Sequence, residues 1–307
     1  MAINTGNFAK FLYPGLDTIY GHKYNEYPLE CAQIFEEKNS SRAYEEDIGV
    51  TGFGLAPVKT EGSAIVYDTE QQAFLTRYNH VVYALGFIIT EEMMDDDQYD
   101  TVGQRRTEGL AYSQRQTKET VAANILNRAF NASYVGGDGS TLIASAASGS
   151  TSHPNASGGS WTNGPTTLAD LSVAALEQAV IDIAKFTDDR GKRIKVMPKQ
   201  LIVAVDNQFE AERIMTSNLQ SGTADNDDNV LRTMGVVPRI VTNHYLTDAD
   251  AWFLQTDIPN GMINYTRKAA TFSIDSDFDT SNAKFKAQER FSFGFTDPRC
   301  MYGSQGS

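Results

Sequence analysis

The stretch from Thr90 to Asn131 limits the fold more than any other. Thr90 can cap a helix, and Glu91, Glu92 and Asp95–Asp97 suit the positive end of its dipole. Leu110, Thr117, Val121, Ile125 and Ala129 then recur at spacings of four or seven on one side. The remaining positions are largely Gln, Arg, Glu, Thr, Asn and Lys. About 30 helical residues here make a rod of roughly 45 Å, at about 1.5 Å per residue. Its apolar stripe is too narrow to centre a bundle. Such a helix lies across a sheet or along a neighbouring chain, so an α+β fold is expected.

The sheet partner is legible further on. In Lys284–Phe295 the positions Phe285, Ala287, Glu289, Phe291, Phe293 and Phe295 share one face, and Lys284, Lys286, Gln288, Arg290 and Ser292 share the other. Glu289 is a lone carboxylate on the aromatic face and needs a partner if buried. Residues 46–90 also read as β structure, with runs at Ser63–Tyr67 and Thr76–Ile89 joined by a polar connection. Both faces of the second run are mixed. That pattern fits a ribbon covered partly by its own domain and partly by a neighbour.

Residues 1–45 hold Tyr13, Tyr20, Tyr24, Tyr27 and Tyr44, interrupted by Pro14, Gly15, Gly21 and Pro28. The prolines and glycines argue against a long helix. Five tyrosines are too many for a solvated tail, so an extended arm that packs on something else is expected, another chain being one candidate. Residues 132–166, with SAASGSTSHPNASGGS at their centre, read as a long flexible connection between lobes. Residues 167–264 read as a mixed lobe. It holds an amphipathic helix marked by Val173, Leu176, Val180, Ile183 and Ala184, with Thr167 and Asp170 as a capping pair. The buried strand Leu201–Val205, a helix over Phe209–Asn218, and strands at Val236–Thr242 and Ala251–Leu254 follow.

The chain of 307 residues carries 26 basic and 39 acidic side chains, a net charge of −13. It shows no basic stripe of the kind that grips nucleic acid. Its densest basic run, Arg190–Lys195, lies beside Asp188 and Asp189 and reads as a solvated turn. No secretory leader and no membrane-spanning run is apparent. Cys31 and Cys300 form no CxxC and read as free buried thiols.

The run GFGLAPVKT resembles a phosphate-binding loop, but Val58 stands where the last glycine belongs and Pro57 removes a backbone donor. Its glycines (Gly52, Gly54) instead suit bends or close backbone approach. Asp225–Asn229 and Asp275–Asp279 have the first spacings of a calcium loop. They lack its glycine and closing glutamate, so they read as solvated loop tips. His22, His80, His153 and His244 make no metal or triad pattern. No cofactor, no metal and no enzymatic activity is expected.

Three stretches, TGFGLAPVKTEGSAIVYD with YALGFIITEEM after it, LIVAVDNQFEAERIM, and the close RFSFGFTDPRCMYG, together resemble the major capsid protein of tailed bacteriophages. This is the Hong Kong 97-type fold, and the wording is similar to its Mu-like branch. The resemblance implies an N-terminal arm over 1–45 and an extended β-hairpin loop over 46–89 that lies on a neighbouring subunit. It implies a peripheral domain over 90–166 and 265–307 with a long spine helix, and a mixed α/β axial domain over 167–264. The implied function is a structural subunit that assembles as hexamers and pentamers into an icosahedral shell around double-stranded DNA, without sequence-specific binding and without a membrane.

The implied partners are other copies of the chain, a separate scaffold, since the chain opens on the arm, and a portal, with cement proteins an optional addition. The implied place is the virion, after synthesis in the host cytoplasm. Of the groups used for cross-linking in one branch, only the ribbon lysine has a match, Lys59, so no cross-links are expected. The contact candidates are Tyr13, Tyr20, Tyr24, Tyr27, Gly52, Phe53, Gly54, Lys59, Glu61, Tyr67 and Arg77, with Glu289 as a buried polar candidate. Alternative readings are an encapsulin-like nanocompartment shell and a tail-tube type virion protein. Deletion of residues 50–78 is expected to leave a folded subunit that cannot assemble.

Overall fold

The computed structural model describes residues 9–95, 99–146, 148–220, 227–277 and 282–306. Two four-stranded sheets dominate it. The first has strand order β1-β10-β11-β4, from β1 (Glu36–Asn39), β10 (Met262–Ser276), β11 (Ala283–Phe295) and β4 (Val81–Ile89). The helices α1 (Ala9–Tyr24) and α3 (Tyr99–Asn127) pack on it. A short helix, α2 (Glu91–Asp95), precedes α3. The second sheet has order β12-β9-β7-β8, from β12 (Met301–Ser304), β9 (Trp252–Thr256), β7 (Pro198–Ala204) and β8 (Ile240–Asn243). Beside it lie α4 (Val173–Ala184), α5 (Gln208–Thr216) and α6 (Val230–Met234).

The second sheet is covered on both faces, which explains why β7 and β9 are apolar without alternation. Leu201, Val203, Trp252 and Leu254 face a core shared with Leu176 and Ile183 of α4 and Ile214 of α5. Ile202 and Phe253 face the opposite way, into a core with Ala122 and Leu126 of α3. The long helix therefore serves both sheets. Its first part crosses the aromatic face of β11 and its last turn backs the second lobe.

Several expectations need correction. Residues 9–24 are a helix despite Pro14, Gly15 and Gly21. Tertiary burial outweighs propensity here: Leu16 and Tyr20 are buried against the first sheet with Phe272 and Phe285. Residues 1–8 lie outside the described residues, as do Asp96, Asp97, Asp225 and Asp279. The expected strand at Ser63–Tyr67 is absent, because those residues have no pairing partner within the chain. The run Thr76–Ile89 is two strands. β3 (Gln72–Asn79) pairs with β2 (Tyr44–Val50), while β4 joins the first sheet beside β11. The chain changes sheets at the buried His80, whose ring nitrogens lie 3.0 Å from Ser292 Oγ and 3.1 Å from Ser40 Oγ. Helix α4 is capped by Ser172, which accepts from the Ala175 amide, rather than by Thr167 or Asp170. Residues 301–304, expected with the helix lobe, pair with β9 in the second sheet.

The largest correction concerns residues 132–166. They are a folded plug, not a flexible tether. Leu142, Ile143, Ala144, His153 and Asn163 are fully buried. Asn163 Nδ2 donates to the carbonyls of Leu142 (2.8 Å), Pro298 (3.1 Å) and Met301 (2.9 Å). Its Oδ1 accepts from the Ala144 amide at 2.7 Å and lies 3.1 Å from His153 Nε2. His153 Nδ1 lies 2.6 Å from Asp138 Oδ2, and its ring stacks on Trp161. Side-chain-to-backbone bonds hold this segment together with the buried Leu142 and Ile143, which join the core beside α3. Asn163→Ala should cost about 3–5 kcal/mol by stranding several buried backbone groups. An unfolding free energy in urea that falls by less than about 1 kcal/mol would contradict this role.

Candidate assembly surface

Strands β2 and β3 form a two-stranded ribbon, and between them residues 51–71 project as a loop with no ladder of its own. Its root is closed by the Thr51 amide donating to the Gln71 carbonyl (3.0 Å) and the Gln71 amide donating to Thr51 Oγ1 (3.1 Å). Gly52 has a φ of 64°, a left-handed bend that disfavours side chains with a Cβ. Beyond it the loop presents Phe53, Leu55, Val58, Ile65, Val66 and Tyr67 to solvent. Leu55 is 83%, Val58 93% and Tyr67 89% exposed. These side chains leave an apolar surface in contact with solvent at the tip of the loop.

Among the other contact candidates, Lys59 and Glu61 are exposed on the same tip. Arg77 stands on β3, its guanidinium 3.8 Å from the centroid of the Tyr44 ring and 3.9 Å from Glu46 Oε1. Tyr27 is exposed. Tyr13 falls in α1, and its side chain lies outside the described residues. Tyr20 and Tyr24 are consumed inside the subunit. Tyr20 is buried and stacks on Phe272.

Tyr24 Oη donates to Glu289 Oε2 at 2.9 Å, and Lys118 Nζ of α3 donates to Glu289 Oε1 at 2.7 Å. Arg115 donates to the carbonyls of Tyr24 and Tyr27. Burial, then the Glu289 charge, pushes both the Tyr20 and Tyr24 hydroxyls well above the usual phenol range. Glu289, 1% exposed, thus has two donors and sits under the end of α1.

The expected stripe on α3 is rotated from the real one. Thr107, Leu110, Ala111, Gln114, Arg115, Lys118, Glu119, Ala122 and Ala123 are buried, while Thr117, Val121 and Ile125 are only partly covered. Apolar periodicity missed this face because three of its members are charged. Each has an internal partner, Glu119 accepting from the amides of Glu30 (2.7 Å) and Cys31 (2.9 Å). Burial, and then Glu119, pushes the Cys31 thiol up to about 12. Cys31 and Cys300 are both free and buried.

The basic run Arg190–Lys195 is also not simply solvated: Arg190 and Lys192 reach the root of the 51–71 loop. The spacing of charges carried no sign of that contact, which spans more than 120 residues. Among the described residues no group of His, Cys, Asp or Glu is placed to hold a metal ion, and no helix is long and apolar enough to cross a membrane.

A long helix laid across a mainly antiparallel sheet, a second mixed lobe and a projecting ribbon together make up the Hong Kong 97-type fold. The chain belongs to the phage capsid protein family, whose model matches residues 75–304. Its role is structural and non-enzymatic, as a subunit of a phage capsid.

Solved structures share the fold at low identity. The capsid of a native GTA particle is 12% identical with a TM-score of 0.53, covering 90% of each chain. A structure from Microbacterium phage Oxtober96 is 11% identical with a TM-score of 0.52, covering 92% of each chain. A virus-like particle from Pyrococcus furiosus is 10% identical with a TM-score of 0.50, covering 94% of this chain and 97% of that one. No curated protein matches the chain in sequence.

Proposed function

We propose that this subunit builds an icosahedral phage head by forming hexamers and pentamers, and that the 51–71 loop lies on the neighbouring copy. The observation that carries the reading is the apolar tip, which no residue of its own chain covers among those described: Leu55, Val58 and Tyr67 are each more than 80% exposed. Burying such side chains yields about 1.5–3 kcal/mol each. A loop on one side and a receiving surface elsewhere make a heterologous contact, the kind that closes into rings.

In this reading α3 is the spine helix of a peripheral domain, and the lobe around β7 and β9 is the axial domain that points to the ring centre. Gly52, Phe53, Gly54, Lys59, Glu61, Tyr67 and Arg77 belong to the contact, with Tyr13 and Tyr27 at the arm. The shell encloses double-stranded DNA without reading its sequence, consistent with the chain's net charge of −13. A separate scaffold and a portal take part, and synthesis is in the host cytoplasm. A cargo compartment without DNA is the second reading, favoured by the near full-length likeness to the Pyrococcus furiosus particle.

Negative-stain microscopy of the purified chain, alone and co-expressed with its genomic neighbours, should show rings and closed shells. Persistent monomers under every condition would overturn the assembly reading. Shells that close around protein in vivo but never around DNA would favour the compartment.

A further inference from the structure

The turn Thr187–Lys192 is built rigidly. Asp188 Oδ1 accepts from the amides of Arg190 and Lys192, each at 2.9 Å. The Asp188 amide donates to the Lys192 carbonyl at 2.8 Å, and Gly191 takes a φ of 75° to close the turn. From behind, the buried Arg299 fastens it, with Nε donating to the Thr187 carbonyl at 2.8 Å and Nη2 to Asp189 Oδ1 at 2.9 Å. A turn held this firmly presents Arg190 and Lys192 in fixed directions.

Both point at the root of the projecting loop. Arg190 Nη1 lies 2.5 Å from Asp68 Oδ2, and Nη2 donates to the Thr69 carbonyl. Lys192 Nζ donates to the Phe53 carbonyl. Asp68 in turn accepts from the Gly54 amide at 2.6 Å and from the Thr69 amide at 2.9 Å, which ties the outgoing and returning limbs together. A Cβ on Gly54 would stand 3.1 Å from Asp68 Oδ2 and 3.2 Å from Arg190 Nη1, so the glycine makes room for the contact. The Gly54 amide, and then Arg190, holds the Asp68 carboxyl below its usual range. These groups grip residues 53–54 and 68–69 only. The tip between them stays exposed, so the contact aims the loop without masking it.

We infer that Arg190, Lys192 and Asp68 are positioning residues for assembly: an electrostatic latch between the second lobe and the loop root that presets the direction in which the apolar tip reaches a neighbouring copy. The inference rests on the proposed role of that loop in assembly. Presetting matters because a contact segment that is already ordered loses less conformational freedom on docking. The latch groups are partly solvated, so added salt weakens them.

Amide hydrogen exchange in the unassembled subunit tests the latch, and shell yield tests its purpose. Asp68→Asn and Arg190→Ala should each raise exchange at the Gly54 and Thr69 amides, the two that the latch holds, by roughly fivefold, leave the melting temperature unchanged, and slow shell formation. The double variant should be no worse than Arg190→Ala, because the two side chains act as one pair. Arg190→Lys should recover part of the loss, and raising the salt to about 1 M should bring the wild-type exchange toward that of Arg190→Ala. Unchanged exchange in both single variants overturns the latch. Raised exchange with wild-type assembly rates overturns the positioning role, even if loop-tip substitutions still abolish shells. If those substitutions also leave shells intact, the loop's proposed role in assembly fails with it.

Discussion

Glu289→Ala should lower the melting temperature of the subunit by roughly 10 °C, whereas Glu70→Ala should leave it within about 1–2 °C. The difference is burial. Glu289 is 1% exposed and holds Lys118 Nζ at 2.7 Å, and the lysine side chain is itself 6% exposed. Removing the carboxylate leaves an ammonium in the interior with no counter-charge, which costs about 3–5 kcal/mol. In a domain this large each kcal/mol moves the midpoint by about 2–4 °C. Tyr24 Oη loses its acceptor in the same step, so the seat of α1 loosens as well. Glu70 is exposed, and such substitutions rarely exceed about 0.5 kcal/mol. Replacing both members, Lys118→Met with Glu289→Leu, should recover most of the loss, because a well-packed apolar pair often equals a buried ion pair. Equal melting temperatures for Glu289→Ala and Glu70→Ala would defeat this account.

Excising residues 55–66 and bridging the gap with a short Gly-Ser link should abolish shells while leaving the melt intact. Those residues are exposed and touch none of the three buried cores. The broader deletion of 50–78 is a poorer experiment than the sequence suggested. Tyr78 is buried, its hydroxyl lies 2.7 Å from Thr296 Oγ1, and its ring packs edge-on against Tyr265. Removing it would damage the subunit itself. The triple variant Leu55→Asp, Val58→Asp, Tyr67→Asp should have the same effect as the short excision, by at least about 10³-fold in assembly equilibrium if all three side chains are buried in the shell. Wild-type shell yield from either variant would sink the proposed contact, and a collapsed melt would mean that the loop belongs to the subunit core.

The elements that the sequence revealed best are those whose burial follows apolar pattern. The alternation of Lys284–Phe295 became β11, with Phe285, Ala287, Glu289 and Phe291 buried. Leu201–Ala204 of the apolar run at Leu201–Val205 became part of β7, covered on both faces, while Val205 lies beyond its end and is exposed. Where polar groups carry the packing, pattern fails. The buried face of α3 is disguised by Arg115, Lys118 and Glu119. The 132–166 plug is disguised by serines, glycines and asparagines whose bonds to backbone add to the burial of only a few apolar side chains such as Leu142 and Ile143. Helix α1 is disguised by Pro14 and Gly15, whose local cost is offset by docking that a window of sequence does not contain. The loop proposed to meet a neighbouring copy is marked by exposed apolar side chains such as Leu55, Val58 and Tyr67. The turn that grips its root was not recognisable in the sequence, because the partners are separated by more than 120 residues and exposed charges look alike wherever they point.

The return of β12 to pair with β9 has a consequence for the order of events during synthesis. Strands β7, β8 and β9 leave the ribosome early, but the core beneath them still lacks Tyr302, one of its fully buried side chains. That residue arrives only after the whole of β10 and β11 has been made. The second lobe therefore waits for the first, and a partly made chain offers neither lobe complete. Completion of the second lobe is thereby tied to synthesis of the last strand, so its core closes only when the chain is nearly finished.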